Sequence, residues 1–217
     1  MCRDRRARSH RGPEGDVVIE SRIGRQFGRS VLRVLAISLV TTSSLGADDS
    51  KEAWAALVKG GHVALIRHGN APPGYGGDPP GFRVDDCKTQ RNLDETGREQ
   101  ARALGEAFRN HGVRVDRSLS SPWCRCLETA RLMAAGPVES SWALVPDRES
   151  SSAVRLLELK EMVSTWRGPG TLVLVTHALT VRPLIGILPN QGEIMVLRPG
   201  SGSPAGADLV GRIAAPR

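Results

Sequence analysis

Two short apolar runs dominate the hydrophobic pattern of this chain. Residues 63–66 (Val-Ala-Leu-Ile) and 171–175 (Thr-Leu-Val-Leu-Val) are continuous apolar or β-branched segments of strand length, the pattern of strands buried on both faces. The first run ends in residues 67–69 (Arg-His-Gly) and the second in residues 176–177 (Thr-His). In open α/β sheets, ligands bind beyond the carboxyl ends of the strands. The pattern therefore predicts an α/β fold with polar groups at two strand ends.

Segments with the helical spacing of apolar residues lie between and around these strands. They cover residues 49–59, 96–111, 122–133 and 152–166. Thr96 and Glu99 form the pattern of a capping box, with Thr96 as the N-cap. His111 is expected to interact with the dipole at the end of that helix. Shorter patterns predict further strands at residues 115–119, 193–197 and 207–213, the last near a sheet edge.

Residues 71–81 are rich in glycine and proline, which excludes a regular element. Because they directly follow the Arg-His-Gly corner, they could form the rim of a substrate site. They could equally be a surface excursion, and the sequence leaves both interpretations open.

The basic charge of the chain is concentrated near its N-terminus. Of the net charge of +7, residues 1–47 contribute +5 through nine arginines and four acidic residues, which leaves +2 for residues 48–217. The few aromatic residues are not interleaved with a basic stripe, as a stacking platform for nucleic acid requires. The distribution argues against a nucleic-acid partner.

Residues 1–47 have the parts of a secretory signal peptide. Four arginines precede an apolar run at 34–40, and small residues follow through Ala47. The run is shorter than the roughly 20 residues that span a bilayer, so cleavage near Gly46 or Ala47 is favoured over an uncleaved anchor, the main alternative. We expect an exported protein, periplasmic or secreted, with one domain at 48–217 and no stable membrane insertion after cleavage.

The cysteines of the expected mature chain are Cys87, Cys124 and Cys126. They lack the paired ligand spacing of a structural zinc site, and an oxidising compartment favours one disulfide among them. Cys124 and Cys126 are too close in sequence to bridge each other comfortably, and Cys126 falls on the apolar side of its helix. The preferred bridge is Cys87–Cys124.

Two arginines and two histidines form the candidate chemistry. Arg67 and His68 end the first buried strand, Arg125 lies in the first turn of the helix that starts at Pro122, and His177 ends the second buried strand. Guanidinium groups and helix N-termini both favour phosphate oxygens. One imidazole could attack phosphorus while the other neutralises the phosphoryl group. With a reference pKa of about 6.5, both protonation states of histidine are accessible near neutrality.

Metal binding by His68 and His177 is the rival interpretation of the same residues. It lacks carboxylate or cysteine ligands at useful spacing, and two guanidinium groups would repel a cation. No metal or other cofactor is therefore expected.

Four sequence blocks occur in order along residues 48–217. They are residues 65–69 (Leu-Ile-Arg-His-Gly), 93–101 (Leu-Asp-Glu-Thr-Gly-Arg-Glu-Gln-Ala), 120–130 (Ser-Ser-Pro-Trp-Cys-Arg-Cys-Leu-Glu-Thr-Ala) and 173–177 (Val-Leu-Val-Thr-His). Together they resemble the histidine phosphatase superfamily, the branch-one group that includes phosphoglycerate mutase-like enzymes. The resemblance implies a three-layer α/β/α sandwich around a mostly parallel mixed sheet, without a metal requirement.

Carried over by position, the resemblance implies that His68 is the phosphorylated nucleophile. It also implies that Arg67, Arg125 and His177 form the phosphate pocket. We assign the next two residues, Gly69 and Asn70, to substrate binding.

The sequence departs from the mutase-like pattern in two ways. Asn70 stands where many such relatives carry an acidic residue, and no acid after residue 130 matches the family's proton donor. Asp147 and Glu149 are the candidates for that donor. If neither serves, the leaving group must depart unprotonated or take its proton from His177 or solvent, which suits a phosphoramidate such as phosphohistidine or an activated ester. Both departures, with export, argue against mutase activity, and the chain looks closer to short, exported bacterial histidine phosphatases.

Two hypotheses about function follow. The first is an exported phosphatase that acts on small phosphomonoesters or on phosphorylated protein side chains, through a phosphohistidine on His68. The second is a phosphate-binding module of the same fold with little or no turnover, which the missing proton donor keeps open. The sequence does not predict the oligomeric state.

Overall fold

The computed structural model describes residues 45–72, 77–146, 152–200 and 202–216. The helices are α1 (Leu45–Lys59), α2 (Glu95–Asn110), α3 (Cys124–Met133), α4 (Ser152–Ser164) and α5 (Ala178–Ile185). The strands are β1 (Val63–Arg67), β2 (Val115–Ser120), β3 (Val138–Ser140), β4 (Thr171–Thr176), β5 (Ile194–Pro199) and β6 (Ala207–Ile213). Single turns of 3₁₀ helix lie at Cys87–Thr89 and Trp142–Leu144.

The strands form one mixed sheet in the order β3-β2-β4-β1-β5-β6. The first four are mutually parallel, whereas β5 runs antiparallel to both β1 and β6. In the β1–β4 pair Arg67 lies opposite Thr176, and the N–H of His68 donates to the carbonyl of Thr176 at 3.0 Å. The two predicted strand ends therefore lie side by side, and β6 is at an edge as predicted.

Both faces of the sheet are covered by helices. Ala64 and Ile66 of β1 pack on one face with residues of α1, α2 and α3. Val63 and Leu65 point to the other face and pack with residues of α4 and α5. Because successive residues of a strand face opposite sides, a continuous apolar run is what such a two-sided strand requires. The predicted three-layer α/β/α sandwich is confirmed.

The start of α2 differs from the prediction. Asp94, not Thr96, is the N-cap, and its carboxylate accepts a hydrogen bond from the N–H of Gly97 at 2.8 Å. Its second oxygen accepts from the side-chain amide of Asn70 at 2.6 Å. This bond to the loop after β1 is tertiary, so the local capping pattern could not show it. The prediction that Thr96 caps the helix is wrong.

Other helix and strand boundaries also differ from the predictions. Helix α3 begins at Cys124 with Trp123 as its N-cap, not at Pro122, so Arg125 is its second residue. The sequence pattern does not predict β3, which is three residues long, or α5, which contains Pro183. The C-cap of α2 is His111, whose Nδ1 lies 2.9 Å from the carbonyl oxygen of Ala107, as its expected role requires.

Gly69 and Gly97 bring two of the sequence blocks into backbone contact. A Cβ atom on Gly69 would lie 2.5 Å from the carbonyl oxygen of Gly97, and a Cβ on Gly97 would collide with the carbonyl oxygen of Asn70. A side chain at either position would push α2 away from the corner that carries His68.

The predicted signal peptide falls largely outside the described residues. Its apolar run at 34–40 is not among them, and Gly46 and Ala47 lie in the first turn of α1. No helix in the described part of the chain is long and apolar enough to cross a membrane.

Candidate active site

The structure brings the two predicted histidines together. His68 follows β1, and His177 follows β4 as the N-cap of α5. Their ring centroids are 5.3 Å apart in an edge-on arrangement, and both residues are buried, with 2% and 4% of their surface exposed. The parallel pairing of β1 with β4 produces this contact directly.

The tautomer of His68 follows from its contacts. Its Nδ1 lies 2.8 Å from the carbonyl oxygen of Gly69, and since a carbonyl oxygen only accepts, Nδ1 carries the hydrogen. Burial, followed by the charge of Arg125, lowers the pKa of His68 to about 3, against the opposing hydrogen bond to Gly69. The ring is therefore neutral near pH 7, and Nε2 carries a lone pair.

His177 is held through both ring nitrogens. Nη2 of Arg125 lies 3.4 Å from Nδ1 of His177. Because a guanidinium only donates, Nδ1 accepts this bond and the ring hydrogen is on Nε2. Nε2–H then donates to Oγ of Ser121 at 2.9 Å. The thiol of Cys126 lies 3.4 Å from Nε2. Burial and the neighbouring charge of His68 hold the pKa of His177 well below its ordinary value. The expectation that both protonation states of the histidines are accessible near neutrality is wrong, because burial and arginine charges disfavour the cations.

Arg125 is paired with an acid that the sequence did not single out. Asp78, from the Gly/Pro-rich loop, accepts from Nη1 of Arg125 at 2.7 Å and from Nη2 at 3.2 Å, and both side chains are almost fully buried. Asp78 also accepts from the indole N–H of Trp123 at 3.0 Å and the backbone N–H of Arg91 at 3.0 Å. Burial by itself raises the pKa of Asp78, but the hydrogen bonds and charge of Arg125, with the N–H groups of Arg91 and Trp123, together outweigh it and the pKa is lowered. Asp78 is thus an ionised carboxylate within the site.

This contact decides between the two interpretations of the loop for the residues described. Residues 77–81 reach the site through Asp78, so this part is a rim and not a surface excursion, whereas residues 73–76 lie outside the described residues. The available signal was an acid in an irregular segment directly after the strand that carries His68. Its partner is 47 positions away, and no local pattern links the two.

Two guanidinium donors of the site are buried without a partner. Nη1 of Arg67 donates to the carbonyl of Pro189 at 2.8 Å, but Nε of Arg67 and Nε of Arg125 have no hydrogen-bond partner among the described residues. Leaving such a donor unpaired in a protein interior costs about 1–3 kcal/mol or more. A bound oxyanion would satisfy both. Burial and the charges of Arg91 and Arg125 lower the pKa of Arg67.

Arg91 lies beside the site. Its backbone carbonyl accepts from Nη1 of Arg125 at 3.2 Å, and its own Nη1 lies 3.4 Å from the carbonyl oxygens of Ala71 and Pro72. Its charge is among the causes that lower the pKa of His68. The site therefore contains a third arginine.

Gly69 and Asn70 tie the His68 corner to the helices. The N–H of Gly69 donates to Oγ1 of Thr129 at 3.1 Å, and Thr129 in turn donates to the carbonyl of Arg125 at 2.7 Å. The backbone N–H of Asn70 donates to the side chain of Gln100 at 2.9 Å, and its amide is used by the α2 cap. Both residues assigned to substrate binding thus make anchoring contacts, and Thr129 was missed because a helical threonine carries no sequence signal of such a bond.

The cysteines lie in the arrangement that the preferred pairing, Cys87 with Cys124, predicts. The sulfur atoms of Cys87 and Cys124 lie at disulfide-bonding distance, with their Cα atoms 5.6 Å apart. The side chain of Gln90 accepts from the N–H of Cys124 at 3.0 Å, which adds a second link between the same segments. Cys126 is free and buried, and burial raises the pKa of its thiol to about 12.

The two candidates for the proton donor, Asp147 and Glu149, lie outside the described residues. Within the described ranges, no cluster of three or more histidine, cysteine or acidic residues has an arrangement that could hold a metal ion.

Comparison with known families identifies the pattern. A family model described as the histidine phosphatase superfamily (branch 1) matches residues 63–145. Over this span, which is less than half of the chain, the sequence is similar to the histidine phosphatase superfamily. The span contains Arg67, His68 and Arg125, whereas His177 follows it and is placed by the pairing of β1 with β4. No curated protein matches this chain in sequence.

Solved structures of similar fold include two phosphatases. The protein histidine phosphatase SixA complexed with tungstate is 18% identical, and the match covers 70% of this chain and 96% of that chain with a TM-score of 0.48. Phosphoserine phosphatase from Entamoeba histolytica, in complex with 3-phosphoglyceric acid, is 15% identical over 71% of this chain and 97% of that chain, with a TM-score of 0.49.

Proposed function

We propose that this protein is a phosphatase of the histidine phosphatase superfamily, and that it hydrolyses phosphomonoesters or protein phosphohistidine through a phosphohistidine on His68. One observation carries the proposal. A neutral imidazole with its Nε2 lone pair stands among arginines, two of which, Arg67 and Arg125, have buried Nε–H donors without a partner in the described chain. Such a site offers a nucleophile to phosphorus and donors to its oxygens.

The proposed reaction has two steps. Nε2 of His68 forms a bond to phosphorus as the bond from phosphorus to the leaving group breaks, and the electron pair departs with that group. Arg67 and Arg125 stabilise the negative oxygens as charge redistributes in the transition state. Water then attacks the phosphorus atom of the phosphohistidine. The electron pair of the P–N bond returns to Nε2 as that bond breaks, and inorganic phosphate is released.

Asp78 restricts how a phosphate can bind to Arg125. Its carboxylate takes both Nη groups of that arginine, so the Nε atoms of Arg67 and Arg125 are the donors that a phosphate can use without displacing it. A bound phosphate dianion would also favour the protonated form of His177. His177 would then act as a cationic partner of the phosphoryl group.

The leaving group is the second constraint on substrate. Asp78 is ionised by Arg125 and so cannot donate a proton in the resting site. Asp147 and Glu149 remain the candidates for a donor. We propose that the substrate is a small phosphorylated molecule or a phosphoprotein, and that the protein acts after export, in the periplasm or outside the cell, as one domain over residues 48–217 without a metal cofactor.

Hydrolysis of p-nitrophenyl phosphate and of phosphohistidine by the wild type and by His68→Asn tests the proposal. We expect the wild type to turn over and His68→Asn to lose at least about 1,000-fold in kcat, because the nucleophile is gone. Arg102→Gln is the matched control, since Arg102 is on the exposed side of α2 and pairs with Glu95. Mass spectrometry after a rapid denaturing quench should find phosphate on His68.

Equal background rates in the wild type and His68→Asn would contradict the enzyme. If the same protein nevertheless bound inorganic phosphate in calorimetry, the outcome would favour the phosphate-binding module. The occupation of Arg125 by Asp78 is the observation that supports that second candidate.

A further inference from the structure

A cleft of about 210 Å³ lies next to the proposed catalytic groups. Three aromatic side chains line it, together with a carboxylate and a guanidinium. The lining residues are Asp78, Phe82, Trp123, Trp142, Val145, Pro146 and Arg155. We refer to this set as the aromatic cleft.

Trp123 connects the aromatic cleft to the catalytic groups. Its ring packs edge-on against His177, with centroids 5.8 Å apart, and its N–H is bound by Asp78, the residue that holds Arg125. Within the cleft the same ring is 5.7 Å from Phe82 and 6.3 Å from Trp142. A group bound in the cleft would thus lie one side chain away from the histidine pair.

Two features of the aromatic cleft point to a ligand. Trp142 is 55% exposed, an unusual state for so large an aromatic side chain. Arg155, a half-buried lining residue on α4, makes no hydrogen bond or ion pair with any described residue. Small-molecule sites are mostly apolar with a few convergent polar groups, and this cleft has that composition.

From these contacts we infer that the aromatic cleft binds the leaving group of the substrate, and that this group is a single planar ring bearing an anionic substituent on a small phosphomonoester. The ring would pack on Trp123, Trp142 and Phe82, and the substituent would pair with Arg155. A cavity of about 150 Å³ holds benzene, so 210 Å³ suits one substituted ring. The inference rests on the proposed phosphatase function and names its substrate class.

The chemistry of leaving-group departure agrees with this substrate class. When the bond from phosphorus to the ring oxygen breaks, the electron pair stays on a phenolate, whose conjugate acid has a pKa of about 10, as in tyrosine. An aliphatic alkoxide is far more basic and needs a proton donor as it leaves. Since the carboxylate of Asp78 is ionised, an aryl leaving group matches what the described residues supply.

Binding of phosphonates tests the aromatic cleft independently of turnover. Phenylphosphonate, 4-carboxyphenylphosphonate and methylphosphonate carry the same anionic head but cannot be hydrolysed, and their affinities can be measured by calorimetry. We expect the phenyl compound to bind about tenfold more tightly than the methyl compound, from aromatic packing. We expect the added carboxylate to contribute about a further threefold, as an exposed ion pair does.

Two variants separate the contribution of aromatic packing from that of the ion pair. Trp142→Ala should reduce the phenyl-over-methyl ratio to about twofold, and Arg155→Gln should abolish the carboxylate's extra threefold. Leu157→Ala is the matched control, because Leu157 is 65% exposed on the same helix as Arg155 and does not line the cleft; it should change neither ratio.

Equal affinities for phenylphosphonate and methylphosphonate, or a preference that survives Trp142→Ala, would overturn the inference. A phosphotyrosine peptide that binds to His68→Asn more tightly than phenyl phosphate would overturn the assignment to a small molecule. A wild type that prefers phenylphosphonate but never hydrolyses phenyl phosphate would contradict the phosphatase and leave the cleft's ring preference standing.

Discussion

The two histidines end adjacent parallel strands in the same way, yet their surroundings differ. His68 satisfies Nδ1 on the next carbonyl along the chain and makes no hydrogen bond through Nε2 to the described residues. His177 engages both ring nitrogens, with Arg125 on one side and Ser121 on the other. The same pattern of a buried strand followed by histidine therefore produces an available nucleophile in one place and a braced electrostatic partner in the other.

The two ends are also held by different means. The His68 corner is fixed by backbone contacts, through the close approach of Gly69 to Gly97 and the bond from Gly69 to Thr129. The His177 end depends on α3, whose first turn is tied by Cys124 and by the ion pair of Arg125 with Asp78. Both sets of contacts reach α3, the first through Thr129 and the second through the first turn of the helix, but they use different groups, which makes the comparison testable.

The largest expected effect concerns the pH dependence of stability at the His68 end. The pKa of His68 is lowered from 6.5 to about 3 in the folded protein. Between these values the unfolded chain binds the extra proton, so the free energy of unfolding falls as the pH drops from 6.5 toward 3 and is unaffected by this group above 6.5. At about 1.4 kcal/mol per pKa unit the loss is on the order of 5 kcal/mol.

Urea unfolding of the wild type and of His68→Asn at several pH values between 7 and 3.5 measures this term. The variant should lose less stability over this range, whereas His111→Asn, at the exposed end of α2, should follow the wild type. Parallel profiles for all three proteins would show that the burial of His68 has no such cost.

The disulfide should have the next largest effect, on the α3 side of the site. Closing a chain segment of this separation, 37 residues, stabilises by about 4 kcal/mol in the chain-entropy model. Replacing Cys87 and Cys124 by serine should lower the free energy of unfolding by about that amount and remove the sensitivity to reductant, whereas Cys126→Ser, which keeps the bond, should remain as sensitive to reductant as the wild type. The measurement is chemical unfolding of the oxidised wild type with and without dithiothreitol. Identical curves would contradict the bond.

The smallest of these effects is on the rate, and it distinguishes the two histidines directly. His177→Asn should lower kcat by about 100-fold, near 2.7 kcal/mol, because a charge-stabilising group is lost but the nucleophile is kept. Phosphate should therefore still be found on His68 of this variant after a rapid quench. If His177→Asn prevented phosphorylation as completely as His68→Asn, the two ends would not have the different roles that their contacts indicate.

Much of this arrangement could be predicted from residues close together in sequence. The apolar runs at 63–66 and 171–175 predicted two-sided buried strands, and the residues after them predicted where His68 and His177 lie. The preferred cysteine pair lies at bonding distance. Export and signal cleavage stay predictions, since the apolar run at 34–40 lies outside the described residues.

The contacts that could not be predicted join distant positions. Asp78 binds Arg125 across 47 residues, and the N–H of Gly69 donates to Thr129 across 60. Asp94 caps α2 through a local bond to Gly97, but its second bond, to Asn70, spans 24 residues. Hydrogen-bonding side chains of ordinary type carry no local signal of a partner that only folding brings near.

By itself, the sequence determined the chemistry available at the strand ends: two imidazoles and two guanidinium groups, placed by short-range patterns of burial and turn. Only the tertiary structure decided their states. Burial made both imidazoles neutral, and Asp78 occupied the fork of Arg125. These outcomes depend on solvent exclusion and on the distance between charges, which are properties of the packed molecule and not of any segment of its chain.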